Sequence, residues 1–438
     1  MVHPGKPLVY FAFCVAVLAA LTVACGGDDG GSAGKATQAP ASPASTASGG
    51  SAAATLPLAS AKIVFGAPIS LTGSTAKEGA QTKNGYEMWV ETVNKAGGIP
   101  VGGKRYLVDL KVLDDQSSGE TSAQLAEKLI KEEKVNFLLG PYGTTPTFNV
   151  ARVAEQNGVP MVEGNGAAER IFNQGYKYTF GVLSPASNYL KGVLEFAAAQ
   201  NPKPSTTAIL YADDAFSVEV AEAAKKKAEE LGLKVTYFEK YKDKETNLSA
   251  QLTAVKNANP DLVVNAGHLQ EAIAILKQAK ELGVNPKLFA FSVGPALPDF
   301  VNSLGVDANY VVTGSQWSSA VKYEGDDYWK TAQTYSDAYK AKYGEEPAYQ
   351  AAESTACGIA FEKALHAANS LEPDKVRDAL AKLDIKTFYG PIKFDSRGAN
   401  LTKPMVVEQI QAGKKVTIWP ADVANAKGLW PSPEWGKH

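Results

Sequence analysis

Three cysteines and four histidines are all that this chain of 438 residues holds. Cys14 and Cys25 fall in an apolar N-terminal segment, so Cys357 is alone in the body and has no partner for an internal disulfide. A lone thiol inside a helical pattern reads as a small buried hydrophobe. His3 and His438 are terminal, which leaves His268 and His366. That is too little for a zinc or haem site, so no metal and no cofactor are expected. An excess of charge is also missing. Lys and Arg number 44 against 46 Asp and Glu, a net of −2. A nucleic-acid partner ordinarily leaves a basic footprint, and none is expected here. His-Glu-x-x-His and Gly-x-x-x-x-Gly-Lys-Ser/Thr do not occur, and no Gly-x-Ser-x-Gly elbow is read, since that string falls only at 30–34 in a Gly/Ser/Ala-rich stretch without a strand-to-helix pattern. The acid pairs Asp114-Asp115 and Asp213-Asp214 are chain neighbours that face opposite ways at a strand end, which suits caps better than a catalytic dyad. With no nucleophile–base or metal pattern, the chain is read as a non-enzyme.

What is present begins at the N-terminus. Lys6 precedes an uncharged apolar run over 8–24 that ends in Leu21-Thr22-Val23-Ala24-Cys25. Small residues before a cysteine resemble the lipobox of bacterial lipoproteins, which implies a signal peptide over 1–24 and a lipid on the Cys25 thiol. Thr22 stands where Leu is more usual, and a plain secretory signal or an uncut anchor helix are the alternatives. Residues 26–58 are nearly all Gly, Ser, Ala, Thr, Pro and Asp. Such a stretch buries too little apolar surface to offset its ordering entropy, so 25–60 reads as a disordered tether.

From Lys62 the pattern turns regular, and the length suits two lobes better than one core. Strand-like runs fall over 63–69, 106–113, 135–139 and 159–162, with helical stretches between. In the middle of the chain such runs begin near Thr207, Lys234, Asp261 and Lys287, about 27 residues apart. The helices over 219–231 and 270–282 end at Gly232 and Gly283. Further on come a strand at 311–313, helices over 326–343, 348–368 and 373–383, strands at 405–410 and 415–419, and an irregular tail over 426–438. Alternation of this kind predicts an α/β fold of doubly wound parallel sheets covered by helices.

In such sheets ligands lie beyond the carboxyl ends of the strands. The loop Gly140-Pro141-Tyr142-Gly143-Thr144-Thr145-Pro146-Thr147 places hydroxyls and free N–H groups at a helix start, an arrangement suited to an anion. Simple N-capping explains one hydroxyl, but not three beside two glycines. Glu163-Gly164-Asn165-Gly166-Ala167-Ala168 offers exposed backbone and falls short of a dinucleotide motif. Phe216, His268 and Trp317 each follow a strand, where an aromatic ring either meets a ligand or covers a helix end. Thr144, Thr145 and Trp317 are expected to line the cleft.

Several stretches together are similar to one family. They are Ile69-Ser70-Leu71-Thr72-Gly73 with Gly79, Asn94-Lys95-Ala96-Gly97-Gly98-Ile99, Leu113-Asp114-Asp115, Gly140-Pro141, Gly158-Val159-Pro160 and Gly390-Pro391-Ile392-Lys393-Phe394-Asp395. In this order, over 62–420, they resemble the type I periplasmic binding proteins, the leucine/isoleucine/valine-binding branch. The resemblance implies two lobes joined by three crossovers, lobe I over 61–182 and 316–395 and lobe II over 183–315 and 396–425. It implies an extracytoplasmic monomer that closes on a small solute and docks on the transmembrane subunits of an ABC importer.

Family roles transfer residue by residue. The hydroxyl that grips a carboxylate falls on Thr144 or Thr145, beside Tyr142. A backbone contact falls on Asn165, Gly166 and Ala167, the last often threonine in the family. Side-chain contacts fall on Glu78, Phe216, His268, Tyr349 and Glu353, with Gln350 near the last two. Ser292 stands where branched-chain amino-acid binders place an acid for the amine. Glu353, Glu78 or Asp214 then takes that role, or the solute has no amine, which keeps aromatic or aliphatic acids and amides open. A ligand-sensing module for a membrane receptor is the reading from another class.

Overall fold

The structure, a computed structural model, describes residues 56–437. The expectations for the signal segment 1–24, Cys25 and tether residues 25–55 lie outside the described residues. The first portion of the body runs β1 (Ile63–Ile69), α1 (Ala76–Lys95), β2 (Ile99–Val101), β3 (Lys104–Tyr106), β4 (Val108–Asp114), α2 (Gly119–Lys131), β5 (Phe137–Leu139), α3 (Thr144–Asn157), β6 (Met161–Glu163) and β7 (Thr179–Gly181). The second runs α4 (Lys191–Ala198), β8 (Thr206–Ala212), α5 (Ala215–Glu230), β9 (Lys234–Tyr241), α6 (Ser249–Ala258), β10 (Leu262–Ala266), α7 (Leu269–Leu282), β11 (Leu288–Phe291), α8 (Pro298–Leu304) and β12 (Val312–Ser315). The last runs α9 (Ala332–Tyr343), α10 (Tyr349–Ala368), α11 (Pro373–Leu380), β13 (Asp384–Thr387), β14 (Gly390–Lys393), β15 (Val406–Gln411) and β16 (Lys414–Trp419).

Two sheets organise these elements. One has the order β4-β1-β5-β6-β7 and is parallel throughout. The other has the order β16-β15-β12-β11-β10-β8-β9. Its first five strands in chain order are parallel, as expected, and β15 and β16 add to one edge antiparallel. A two-residue turn joins β15 to β16, and Ala412 and Gly413 both adopt positive φ there. The chain passes between the sheets three times: after β7, after β12 and before β15. The crossovers are tied to one another. Ser184 and Gln316 exchange two hydrogen bonds of 2.9 Å, and Lys403 Nζ donates to the Gln316 carbonyl at 2.5 Å.

Apolar burial explains where α10 returns. Phe65 of β1 meets Trp89 of α1, Phe361 of α10 and Phe137 of β5 with ring centroids 5.1–5.5 Å apart. Each fully buried ring contributes about 2–3 kcal/mol. A Cβ on Gly358 would stand 2.1 Å from the Trp89 ring, so only glycine lets α10 pack on α1. Helix α9 begins at Ala332 rather than near 326, because Asp327 turns the chain by accepting from Trp329 N and Lys330 N, and Thr331 then caps the helix. Residues 57–59, within the stretch read as tether, pair with Arg105 through Ala59 N–H at 2.7 Å and the Pro57 carbonyl at 2.8 Å. Among the described residues no helix is long and apolar enough to cross a membrane.

Candidate ligand-binding site

Strand order fixes where a ligand should sit. In the first sheet the order reverses between β1 and β5, and in the second between β8 and β10. Loops after those strands diverge and leave a crevice. The loop after β5 carries Tyr142 to Thr145, the turn after β8 carries Asp214, and the turn after β10 carries His268. The two sets meet: Tyr142 Oη and His268 Nδ1 are 3.3 Å apart. Lys77 also pairs with Asp299 at 2.9 Å, joining α1 to α8.

Two cavities share Tyr142, Gly143, Thr144 and His268 on their walls. The inner one, about 10 Å³, is completed by Asn165, Tyr189, Phe216, Val293, Tyr349 and Glu353. Its aromatic walls pack edge-on, with Tyr189 4.9 Å from Phe216 and 6.4 Å from Tyr349, centroid to centroid. The outer one, about 280 Å³, opens along Thr145, Asp214, Asp243, Lys244 and Glu271.

The first-sheet wall is short of partners. Gly143 caps α3 with φ of 91°, and the amides of Thr144 and Thr145 in the first turn have no intrahelical acceptor. Thr144 Oγ1 accepts from Ala168 N at 3.3 Å. Asn165 donates to Ser354 Oγ at 3.0 Å, while its Oδ1 has no partner. Glu353 accepts from Tyr389 Oη at 3.2 Å through Oε2 and leaves Oε1 unpaired. Burial, reinforced by nearby Glu163, pushes the Glu353 carboxyl well above its ordinary range. Burial also raises Glu163 to about 8, although it accepts from Asn165 N and Gly166 N. Burial holds the Lys403 amine, over the Tyr389 ring, down to about 7.

On the second-sheet wall, Asp214 and His268 satisfy each other. Asp214 caps α5 by accepting from Phe216 N at 2.9 Å and Ser217 N at 3.1 Å, and it lies 3.5 Å from His268 Nε2. Burial works against the imidazolium, but Asp214, then Glu271 and Glu78, outweigh it and raise His268 to about 10. Burial likewise works against the Asp214 carboxylate, and His268 with Ser217 outweighs it and holds it below its usual value.

The residues singled out from sequence separate into three groups. Tyr142, Thr144, Asn165, Phe216, His268, Tyr349 and Glu353 come together on the inner cavity, and Thr145 lies on the outer one. Glu78 is on neither wall. It is buried beside His268, its oxygens make no hydrogen bond of good geometry, and burial raises it to about 7. Gly166 packs on Thr147, the Ala167 carbonyl accepts from Ala186 N, and Ser292 Oγ holds both the N–H and the carbonyl of Gly267 at 3.1 Å. Trp317 does not line this site. Its ring is buried against Tyr335 and Phe388, its Nε1 donates to the Phe388 carbonyl, and it borders a separate cavity with Leu297 and Glu346. The second crossover leaves β12 in a direction that the sequence pattern does not disclose. Sequence reasoning passed over Tyr189, Val293, Asp243 and Glu271. Glu271 had one usable signal, its place in the first turn of the helix that follows β10.

Comparison with known proteins agrees with this fold. The model of a family described as periplasmic binding protein matches residues 62–415. A Leu/Ile/Val-binding protein homolog 8 from Brucella suis is 27% identical over 394 residues, covering 86% of this chain and 94% of the relative. Homolog 7 from Brucella abortus is 26% identical over 380 residues, covering 83% and 92%. Among solved structures, the branched-chain amino acid transporter substrate binding protein LivJ from Streptococcus pneumoniae, in complex with isoleucine, gives a TM-score of 0.72 at 22% identity, covering 84% of this chain and 100% of that one. A solute binding protein of R. palustris in complex with benzoate gives 0.68 at 19%, covering 84% and 99%.

Proposed function

Because this chain belongs to the periplasmic binding protein family, whose members bind solutes and are not enzymes, we propose that it captures a carboxylate-bearing solute, an α-amino acid first among the candidates, and delivers it to an ABC importer. One observation carries this reading: the open N-terminus of α3 adjoins a chamber whose buried acceptors lack donors. The amides of Thr144 and Thr145 and the helix dipole suit a carboxylate. The inner cavity admits about one water-sized group, which is the size of an ammonium. Asn165 Oδ1 and Glu353 Oε1 would receive its N–H bonds. Of the three acids weighed for the amine, Asp214 is already engaged as a cap and with His268. Glu353 has a free oxygen on the chamber wall. The ligands of the two solved neighbours share only a carboxylate among charged groups.

In this reading Tyr142, Phe216, His268 and Tyr349 enclose the solute. The lobes have the boundaries expected above, with the three crossovers as hinges. Lipid on Cys25 holds the body, as a monomer, at the outer face of the membrane near the permease. The test is a thermal-shift screen of the full chain against amino acids, aromatic acids, aliphatic acids and amides, since a ligand of the native state raises the melting temperature by mass action. Stabilisation by an amino acid supports the reading. Stabilisation only by acids without an amine would remove the ammonium assignment and retain capture. No stabilisation by any class would overturn it.

A further inference from the structure

We infer that the outer cavity is a subsite for a cationic group, an ammonium or guanidinium at the far end of the solute, with Glu271 as its counter-charge; this rests on the solute-capture reading above. The solute's own α-ammonium is accounted for by the one-group inner chamber, so the 280 Å³ beside it is the space left for a side chain. Its walls are acidic. Asp214, Asp243 and Glu271 line it, with Glu78 within electrostatic reach of His268, and the cations that face them are His268 and Lys244. His268 is committed to Asp214, and Lys244 is exposed at the rim, where it donates to the Ser117 carbonyl at 3.4 Å. On the cavity walls two cations therefore face three carboxyl groups.

Glu271 is the side chain that the fold leaves unexplained. The residue is only 2% exposed, it lines the cavity, and it accepts no hydrogen bond from any described residue. The capping residue His268 gives α7 no side-chain cap, so the first turn lacks the reciprocal capping box that would occupy a glutamate at this position. His268 is within electrostatic reach of this carboxylate but no donor touches it, so an incoming cation would supply its missing charge-assisted hydrogen bonds. The free amides of Thr144 and Thr145 border the same cavity, so a solute anchored there by its carboxylate can extend its side chain to Glu271.

The experiment titrates the full chain with L-lysine, L-arginine, L-leucine and benzoate by calorimetry. The basic amino acids should bind at least about tenfold tighter than leucine. Glu271→Gln should remove that preference, weakening the basic solute about tenfold or more and leucine less than about twofold. Leucine or benzoate binding as tightly as lysine and arginine, with Glu271→Gln changing all alike or none, would overturn the inference and leave solute capture standing. Binding of no probe would overturn both. Should Glu271→Gln fail to fold, Asp243→Asn on the half-buried loop decides by the same ratio.

Discussion

The two walls of the cleft hold similar numbers of carboxyl groups but treat them differently. On the second-sheet side, Asp214 and His268 stabilise each other as ions, and Asp214 also caps α5. On the first-sheet side, Glu353 and Glu163 are buried with one oxygen each unpaired and are driven toward the neutral form. The Asp214–His268 pair is complete before a solute arrives, whereas Glu353 and Glu163 each keep an oxygen open to a donor. Desolvation decides between these states, because a buried carboxyl ionises only where a cation shares its burial. Lys403 does not fill that role for Glu353, since it is itself held down to about 7 and gives its protons to the Gln316 and Pro404 carbonyls.

The largest expected effect follows from that contrast. Glu353→Gln mimics the neutral acid of the empty site, so the melting temperature of the free protein should hardly move. Affinity for an amino acid should fall by about 3 kcal/mol, on the order of 100-fold, because the amide cannot supply the charge an ammonium requires. Calorimetry in buffers of different ionisation enthalpy should also show a proton leaving the wild-type protein on binding, and none leaving the variant. Equal affinities would mean that the first-sheet wall is not the receiving side.

The next effect breaks the other wall. His268 is raised from its ordinary value of 6.5 to about 10, burial opposing and Asp214 prevailing. A cation with a raised folded-state pKa stabilises fully below 6.5, and that contribution is lost as pH climbs toward 10. Lys403 acts with the opposite sign, because its lowered pKa makes stability rise between about 7 and 10.5. The difference between the wild type and His268→Gln isolates the first term. The wild type's advantage should shrink by about 2 kcal/mol from pH 6.5 to pH 10 in denaturant titrations. A constant difference across that range would show that Asp214 and His268 do not form an ion pair.

How far the sequence disclosed this contrast depends on the range of the interactions involved. Strand runs read near Thr207, Lys234, Asp261 and Lys287 correspond to strands that start at 206, 234, 262 and 288, because β-branched runs between amphipathic helices are local signals. The β2–β3 hairpin and the three-residue β7 were too short to show a period. The antiparallel entry of β15–β16 hides behind an Ala-Gly turn, a weaker signal than Asn-Gly. In the site, Tyr142, Thr144 and His268 were legible because each follows a strand at a switch point. Trp317 follows a strand too, yet its ring turns into the core against Tyr335 and Phe388, a choice made by residues up to 71 positions away in sequence. Tyr189 matters through the rings that face it, which no spacing encodes, and Glu271 left only the weak signal of an acid in the first turn after β10.

Ser292 gives the smallest effect and the sharpest control. It stands where an acid for the solute's amine would be expected from the family resemblance, but its hydroxyl bridges Gly267 N–H and the Gly267 carbonyl, each at 3.1 Å, directly before His268. Its role is therefore to hold the turn that presents His268 to Tyr142. Ser292→Ala would leave a buried N–H without a partner and should cost about 1 kcal/mol of stability, measured by chemical denaturation. Affinity should fall only a few-fold, and for amino acids and amine-free acids alike, since the hydroxyl meets neither the ammonium nor the carboxylate. A loss confined to amino acids would place Ser292 in contact with the amine and move the receiving wall to the second sheet.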